Sequence, residues 1–85
     1  MRPHARKTGV VVEEVDGEVL IYDLARNEAH CLRDVTALVW RLADGQIPVE
    51  TIIERVRESS TGEVTEDSVW SALESLSEAH LLIEP

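Results

Sequence analysis

The feature that most constrains the fold is the dipeptide Asp16-Gly17, which lies between two short runs rich in Val, Leu and Ile. Val10 to Val15 precedes it and Glu18 to Leu24 follows it. Asp-Gly in this setting is a strong hairpin signal, because both central residues of a type I′ turn need positive φ. The two runs are therefore predicted to form an antiparallel hairpin, with Val11 opposite Tyr22.

A second turn is predicted at Ala25-Arg26-Asn27, where Asn27 can adopt the left-handed conformation. Glu28 to Leu32 then returns as a third strand. With a three-residue loop, the register places Tyr22 opposite His30. The strands are thus predicted to form an antiparallel meander.

This register divides the side chains of the meander between two faces, because neighbours in a strand point to opposite sides. One predicted face comprises Val11, Leu20, Tyr22, His30 and Leu32. The other comprises Val10, Val12, Val19, Ile21, Ala29 and Cys31. Both faces are apolar, although one layer of helices buries only one of them. The second face is therefore predicted to dock a partner or a second copy of the chain.

Three amphipathic helices are predicted after the strands. Asp34 is the predicted N-cap of a helix from Val35 to about Ala43, with Gly45 as its stop signal. Pro48 suits the first turn of the second helix, and Thr65 is the predicted N-cap of the third. The predicted apolar faces are Val35, Leu38, Val39 and Leu42, then Ile52, Ile53 and Val56, then Val69, Ala72, Leu73, Leu76 and Ala79.

The predicted fold class is therefore α+β, a three-stranded antiparallel meander followed by three helices, similar in outline to a winged helix. Residues 1–9 are predicted to be a flexible N-terminus, and residues 10–85 a single domain. In a winged helix the third helix can read DNA, but here it carries Glu66, Asp67, Glu74 and Glu78 and no base. A groove-reading role for this helix is excluded by its charge.

Charge and hydropathy also exclude other partners. The formal net charge is -9, and no Lys or Arg follows Arg57, so nucleic acid and anionic membrane surfaces are poor ligands. No apolar run approaches the ~20 residues of a membrane span, and three valines are too few for a signal peptide. With one cysteine the chain forms no internal disulfide, and a cytoplasmic location is expected.

The pair His30-Cys31 is the most reactive-looking combination in the chain. Adjacent strand residues point to opposite faces, so the two side chains cannot form a nucleophilic dyad. No spacing typical of a zinc site is present, the carboxylates are scattered, and no glycine-rich loop follows a strand. We predict no catalytic residue, no metal and no cofactor, and therefore no enzymatic activity of the chain alone.

An ordered series of short motifs extends from Asp16 to about Ile83. The motifs are Asp16-Gly17-Glu18, Tyr22-Asp23-Leu24, His30-x-Leu32, Ala37-Leu38-Val39-Trp40, Asp44-Gly45 and a final pattern of Leu73, Leu76, Ala79, Leu81 and Leu82. In this order and spacing they resemble the PqqD-like family, named for the small chaperone of pyrroloquinoline quinone biosynthesis. The family often has Asn after its His-x-Leu segment, and this chain has Arg33 there. Because of this difference, the resemblance does not predict how the chain turns from the third strand into the first helix.

The resemblance implies a peptide-recognition element for ribosomally made, post-translationally modified peptides. Such an element holds the leader segment of a precursor peptide while a partner, often a radical-SAM enzyme, modifies the rest. In the family the leader adds as a strand to the edge of the third strand and packs against the third helix. The implied peptide-binding residues are Glu28, Ala29, His30, Cys31 and Leu32 on the strand and Val69, Trp70, Leu73, Leu76 and Ser77 on the helix.

Several alternatives stay open from the sequence. The second hypothesis is a non-catalytic adaptor that forms oligomers, such as a homodimer, through the Val10, Val12, Val19 and Ile21 face and docks on an enzyme without binding a leader. The acids of the third helix either favour a leader with Lys or Arg or form a solvated face. Trp70 is either a wall of the peptide groove or part of the core.

Overall fold

The computed structural model describes residues 2–59 and 64–83. Its elements are β1 (Val10–Val15), β2 (Glu18–Asp23), β3 (Glu28–Leu32), α1 (Asp34–Leu42), α2 (Val49–Ser59) and α3 (Glu66–Glu78). The strands form one antiparallel sheet in the order β1-β2-β3, and the helices follow. The predicted α+β class and element order are confirmed.

The first hairpin has the predicted turn and register. Asp16 has φ 49° and Gly17 has φ 82°, so both central residues are in the left-handed region that a type I′ turn requires. Val11 lies opposite Tyr22, as predicted.

The predicted register between β2 and β3 is wrong by one residue. Tyr22 lies opposite Ala29 and not opposite His30, because β2 ends at Asp23, whose partner is Glu28. The connecting loop therefore has four residues, 24–27, where a three-residue loop was predicted.

The side chain of Asp23 explains the earlier end of β2. Its Oδ1 accepts hydrogen bonds from the backbone N–H of Ala25 at 3.1 Å and of Arg26 at 3.2 Å. This local turn competes with the β-ladder and starts the loop at Leu24. Asn27 completes the loop at φ 54°, the predicted left-handed conformation.

The one-residue shift changes which side chains of β2 and β3 lie on the same face of the sheet. His30 lies opposite Ile21 and Leu32 opposite Val19, and this face of the sheet is covered by the helices. The core consists of Ala5, Val19, Ile21, Leu32, Ala37, Val39, Trp40, Ala43, Val49, Ile52, Ile53, Val56, Val69, Ala72, Leu73, Leu76, Leu81 and Leu82.

Half of the face predicted to dock a partner, namely Val10, Val19 and Ile21, therefore lies against the helices, whereas Ala29 and Cys31 lie on the other side of the sheet. Val19 and Ile21 are completely buried, and Val10 packs against the core. Val12, on the same side of the sheet, is exposed, so the adaptor hypothesis keeps only a small part of its predicted surface and stays a prediction. The face that solvent reaches instead includes Val11, Tyr22 and Cys31.

The helix ends follow their predicted signals at Thr65 and Gly45 but not at Asp34, and Pro48, predicted in the first turn of the second helix, lies just before α2. Thr65 Oγ1 accepts a hydrogen bond from the N–H of Ser68 at 3.2 Å, which confirms the N-cap of α3. Gly45, at φ 81°, lies just beyond α1. The predicted N-cap at Asp34 is wrong, because Asp34 is itself the first residue of α1 and Arg33 occupies the cap position without a side-chain bond.

Residues 3–6 lie between two other segments of the chain. The N–H of Ala5 donates to the carbonyl of Ala43, and the N–H of Arg6 donates to that of Leu81, both at 2.8 Å. The side chain of Ala5 is 0% exposed. The N-terminal segment predicted to be flexible is thus hydrogen-bonded on both sides between positions 3 and 6, and its flexibility stays a prediction.

Candidate functional site: two grooves beside the third helix

The outer edge of β3 is open. Within residues 2–59 and 64–83, β3 pairs with β2 on one side and with no strand on the other. An open edge presents unpaired N–H and C=O groups that can hydrogen-bond an extended peptide.

A groove separates this edge from α3, and we call it the β3–α3 groove. It encloses about 510 Å³ and is lined by Ala29, His30, Cys31, Leu32, Arg33, Thr36, Ser75, Leu76, Ala79 and Leu81. A shallower depression of about 490 Å³ shares Arg33, Thr36 and Ser75 with it and continues between α1 and α3. Together the edge and groove offer backbone hydrogen bonds and an apolar wall to one extended ligand.

The local structure that follows α3 places Leu81 in the wall of this groove. His80 has φ 61°, and its N–H donates to the carbonyl of Ser77 at 3.0 Å. The N–H of Leu81 donates to the carbonyl of Leu76 at 2.9 Å. These bonds form a Schellman motif, which turns the chain back so that Leu81 and Leu76 line the same groove.

His30 is the polar residue of interest in the β3–α3 groove. Its Nε2 is buried and has no hydrogen-bond partner among the described residues. A buried polar atom without a partner carries an unfavourable desolvation free energy. A ligand that supplies a hydrogen bond at this atom would remove that cost.

Cys31 lies on the opposite side of β3 from His30, as predicted from strand alternation. Its Sγ lies 3.0 Å from Glu18 Oε2, which also accepts a hydrogen bond from Arg33 Nε at 2.9 Å. The hydrogen bond from Cys31, followed by the charge of Arg33, lowers the pKa of Glu18 below its ordinary value. Cys31 is an exposed free thiol that anchors a surface ion pair, with no histidine as a catalytic partner.

A second groove lies on another side of α3, and we call it the Trp70 groove. It encloses about 710 Å³ and is lined by Arg2, Pro3, His4, Gly45, Trp70, Leu73, Glu74, Ser77, Leu82 and Ile83. Its wall includes two large exposed apolar side chains, Trp70 at 42% and Ile83 at 48% exposure. It has no lining residue in common with the β3–α3 groove.

The structure divides the peptide-binding residues predicted from the sequence. Ala29, His30, Cys31 and Leu32 line the β3–α3 groove together with Leu76. The remaining predicted residues lie elsewhere: Glu28 in a shallow depression on the outer face of the sheet, Val69 completely buried, and Trp70, Leu73 and Ser77 in the Trp70 groove.

Sequence analysis did not assign Ser75, Ala79 and Leu81 to the peptide site, although they complete the helix side of the β3–α3 groove. Ala79 and Leu81 belong to the final leucine-rich pattern of the sequence, and this pattern was the signal that could have identified them as groove residues. Of the two positions that the sequence allows for Trp70, groove wall or core, the structure shows the first, at the surface of the Trp70 groove.

No group of three or more His, Cys, Asp or Glu side chains in the described part of the chain is arranged to hold a metal ion. Nor does any helix within residues 2–59 and 64–83 have the length and apolar character needed to cross a membrane.

Comparisons with known proteins connect this fold to one solved complex. No family model and no curated protein matches the chain. The structure of TbiB1 in complex with the TbiA(beta) leader peptide is 21% identical, with a TM-score of 0.75 over 96% of each chain. The two proteins share their fold over almost the whole of both chains.

Proposed function

We propose that the protein is a non-enzymatic, cytoplasmic module that binds the leader segment of a ribosomally made precursor peptide and presents it to a modifying enzyme. The leader adds as a strand to the outer edge of β3 and places its side chains in the β3–α3 groove. The observation that carries this proposal is the open edge of β3 directly beside a groove whose wall includes Leu76, Ala79 and Leu81.

Two kinds of interaction supply the binding free energy. Each main-chain hydrogen bond contributes only about 0.5–1.5 kcal/mol net, whatever the sequence of the peptide. Burial of leader side chains against the helix wall contributes roughly 25 cal/mol per Å² of apolar surface and provides selectivity. A leader with aliphatic or aromatic residues at alternate positions suits this arrangement, since alternate strand residues point to the same side.

The other edge strand of the sheet, β1, is a poorer site for strand addition. It carries Glu13 and Glu14, and charged side chains on an edge oppose pairing. Arg41 of α1 also donates hydrogen bonds to Glu14 Oε1 and to the carbonyl of Gly17, which ties the β1–β2 hairpin to the helix layer. We therefore assign the leader to β3.

His30 adds a requirement that the ligand in the β3–α3 groove carry a hydrogen-bonding group. Its buried Nε2 needs a hydrogen-bond partner, and a leader side chain or main-chain group at this point would provide one. A ligand that satisfies this atom is favoured over an apolar one of the same shape.

Two independent likenesses support the proposal. The protein that shares this fold over 96% of its length is in complex with a leader peptide. The motif series from Asp16 to Ile83 resembles the PqqD-like family, whose members deliver leaders to enzymes such as radical-SAM proteins. Both point to peptide recognition and neither requires a cofactor in this chain.

The test first searches the neighbouring genes for a short precursor-like open reading frame and then uses a synthetic peptide with the sequence of its leader. Ala79→Glu places a charge on the half-buried groove wall, and we expect it to weaken binding by at least about tenfold in calorimetry. Val15→Glu, at an exposed position on β1, is the matched control and should bind like the unmodified protein. Circular dichroism checks that both variants are folded.

Strand addition itself is tested without changing the protein. Leader peptides N-methylated at every second residue lose hydrogen bonds on one side of the strand, so one set should bind at least about tenfold more weakly than the other. Equal affinities of the two sets, or an Ala79→Glu variant that binds normally, would contradict the proposal.

A further inference from the structure

Trp70, Leu73 and Ser77 were predicted to bind the same peptide as β3, but they line a different groove. α3 presents Ser75, Leu76 and Ala79 to the β3–α3 groove, and Trp70, Leu73, Glu74 and Ser77 to the Trp70 groove. A peptide paired with the edge of β3 contacts the first set of helix residues. The second set needs a different occupant.

We infer that the Trp70 groove is the docking site of a second protein, through an apolar segment flanked by Lys or Arg. This inference rests on the proposed function, since the second protein would be the enzyme that receives the leader. The two grooves lie on different sides of one helix, so leader and enzyme can be held at the same time.

The preference for an apolar segment follows from the residues that line the Trp70 groove. Leu73 and Leu82 form buried parts of the groove, while Trp70 and Ile83 keep 42% and 48% of their surface exposed. Exposed apolar surface that lies together marks an interaction site more often than scattered hydrophobic residues do. Tryptophan in particular supplies a large share of the binding free energy at protein interfaces.

The preference for Lys or Arg beside that segment follows from charge complementarity. The exposed acids of α3 are Glu66, Asp67, Glu74 and Glu78, and the helix has no Lys or Arg. Glu74 lines the groove, and Glu66 Oε1 lies 3.5 Å from Trp70 Nε1, a long hydrogen bond. A segment with Lys or Arg beside its apolar residues would face Glu74, whereas Asp67 lines the depression between α1 and α3. The net charge of -9 would speed the approach of such a segment.

The polar groups of the opposite wall complete the pattern. Arg2 and His4 lie on the N-terminal segment, which is held against the C-terminal residues by a 2.8 Å hydrogen bond from the N–H of Ile83 to the carbonyl of His4. Glu74 thus lies on one wall of the Trp70 groove, and Arg2 lies on the opposite wall. Such an arrangement selects the orientation of the docked segment as well as its composition.

The experiment uses two synthetic probes, a 14-residue amphipathic peptide of Leu and Lys (about four helical turns) and its twin with Glu in place of Lys. Binding is measured by calorimetry and by the fluorescence of Trp70, with Trp70→Ala removing that signal. We expect the Lys peptide to bind and the Glu peptide not to bind. Trp70→Ala and Glu74→Lys should each weaken the Lys peptide by at least about tenfold.

Two variants serve as matched controls. Glu54→Lys makes the same charge reversal on the exposed side of α2, away from both grooves, and should leave the affinity of the Lys peptide within about twofold. Ala79→Glu, in the β3–α3 groove, should also leave it unchanged while it weakens the leader.

The outcomes separate this inference from the proposed function. Equal effects of Glu54→Lys and Glu74→Lys would show nonspecific attraction and overturn it. Loss of leader binding in Trp70→Ala would mean that the leader occupies this groove, and a dimer that Trp70→Ala dissociates in light scattering would mean that a second copy does. Both overturn it. A leader that does not bind the unmodified protein refutes the proposed function alone, because the Lys peptide is measured without leader.

Discussion

The carboxylate of Asp23 connects three parts of the chain at one buried point. Its Oδ2 lies 2.6 Å from Nη2 of Arg6, on the N-terminal segment, and 3.3 Å from Nη1 of Arg26, in the loop after β2. Only 1% of Asp23 is exposed. Burial by itself raises the pKa of this carboxyl, but the hydrogen bonds and charges of Arg6 and Arg26 outweigh burial and hold the pKa below 3.8.

This pKa predicts how stability depends on pH. Because the pKa is lower in the folded than in the unfolded state, the stabilisation is complete above about pH 4 and is lost as the pH falls through the folded-state pKa. We expect Asp23→Asn to unfold at lower urea concentration than the unmodified protein at about pH 7, with a difference that narrows at about pH 3. Glu54→Gln, on the exposed side of α2, is the control. A difference that stays constant with pH would contradict this role.

Among the strands, turns and helices, the structure was predicted best by sequence signals that depend on a required φ angle or on a helix cap. Positive φ at Asp16 and Gly17 and the hydroxyl cap at Thr65 depend on a few adjacent residues, and both are confirmed. The register of β3 was missed because β2 ends one residue early, at Asp23, whose Oδ1 accepts hydrogen bonds from the backbone N–H groups of Ala25 and Arg26. Arg6, which contacts the other carboxylate oxygen of Asp23, lies 17 positions before it in the sequence and reaches it only in the fold. The open β3 edge follows from the order of the strands, which the turns predicted.

The same reasoning explains why the predicted peptide-binding residues do not all line one groove, while their role in binding stays a prediction. An amphipathic pattern shows which residues of α3 are apolar, but not which segment each one faces. Trp70 and Leu73 face the N-terminal segment, and that segment gave no strand signal in the sequence. Ala79 is small and easily overlooked, yet it lies on the groove wall beside β3.

The end of α3 offers a prediction of increased stability. His80 occupies the left-handed position of the Schellman motif at φ 61°, where a side chain is strained and glycine is not. We expect His80→Gly to raise the free energy of unfolding by roughly 0.5–1 kcal/mol in urea denaturation. Ser71→Gly, at an exposed position in the middle of α3, should lower it by a similar amount. Equal losses for the two variants would contradict the assignment of the cap.

For the whole molecule, the N-terminal segment is predicted to be part of the folded unit. Its residues 3–6 make four backbone hydrogen bonds, which involve the N–H groups of Ala5, Arg6, Gly45 and Ile83. At about 0.5–1.5 kcal/mol each, their loss removes at least about 2 kcal/mol of stability. Deletion of residues 1–6 should therefore lower the thermal midpoint by about 10 °C or more.

A chain that lacks only residues 1–2 is the control for that deletion and should keep its midpoint within about 2 °C. Unchanged stability of the longer deletion would contradict a structural role of the segment. Leader affinity, measured at a temperature where the shorter chain is still folded, should be unchanged, because none of the described residues 2–6 lines the β3–α3 groove.

The hydrogen bond between Ile83 and His4 also means that the two ends of the folded chain lie side by side. Adjacent ends allow a circular permutant, in which a short connector rich in Gly and Ser joins them. New termini opened at the exposed Asp16-Gly17 turn would leave β3, α3 and both grooves within one continuous stretch. The recognition surface therefore depends on how the elements pack and not on where the polypeptide starts.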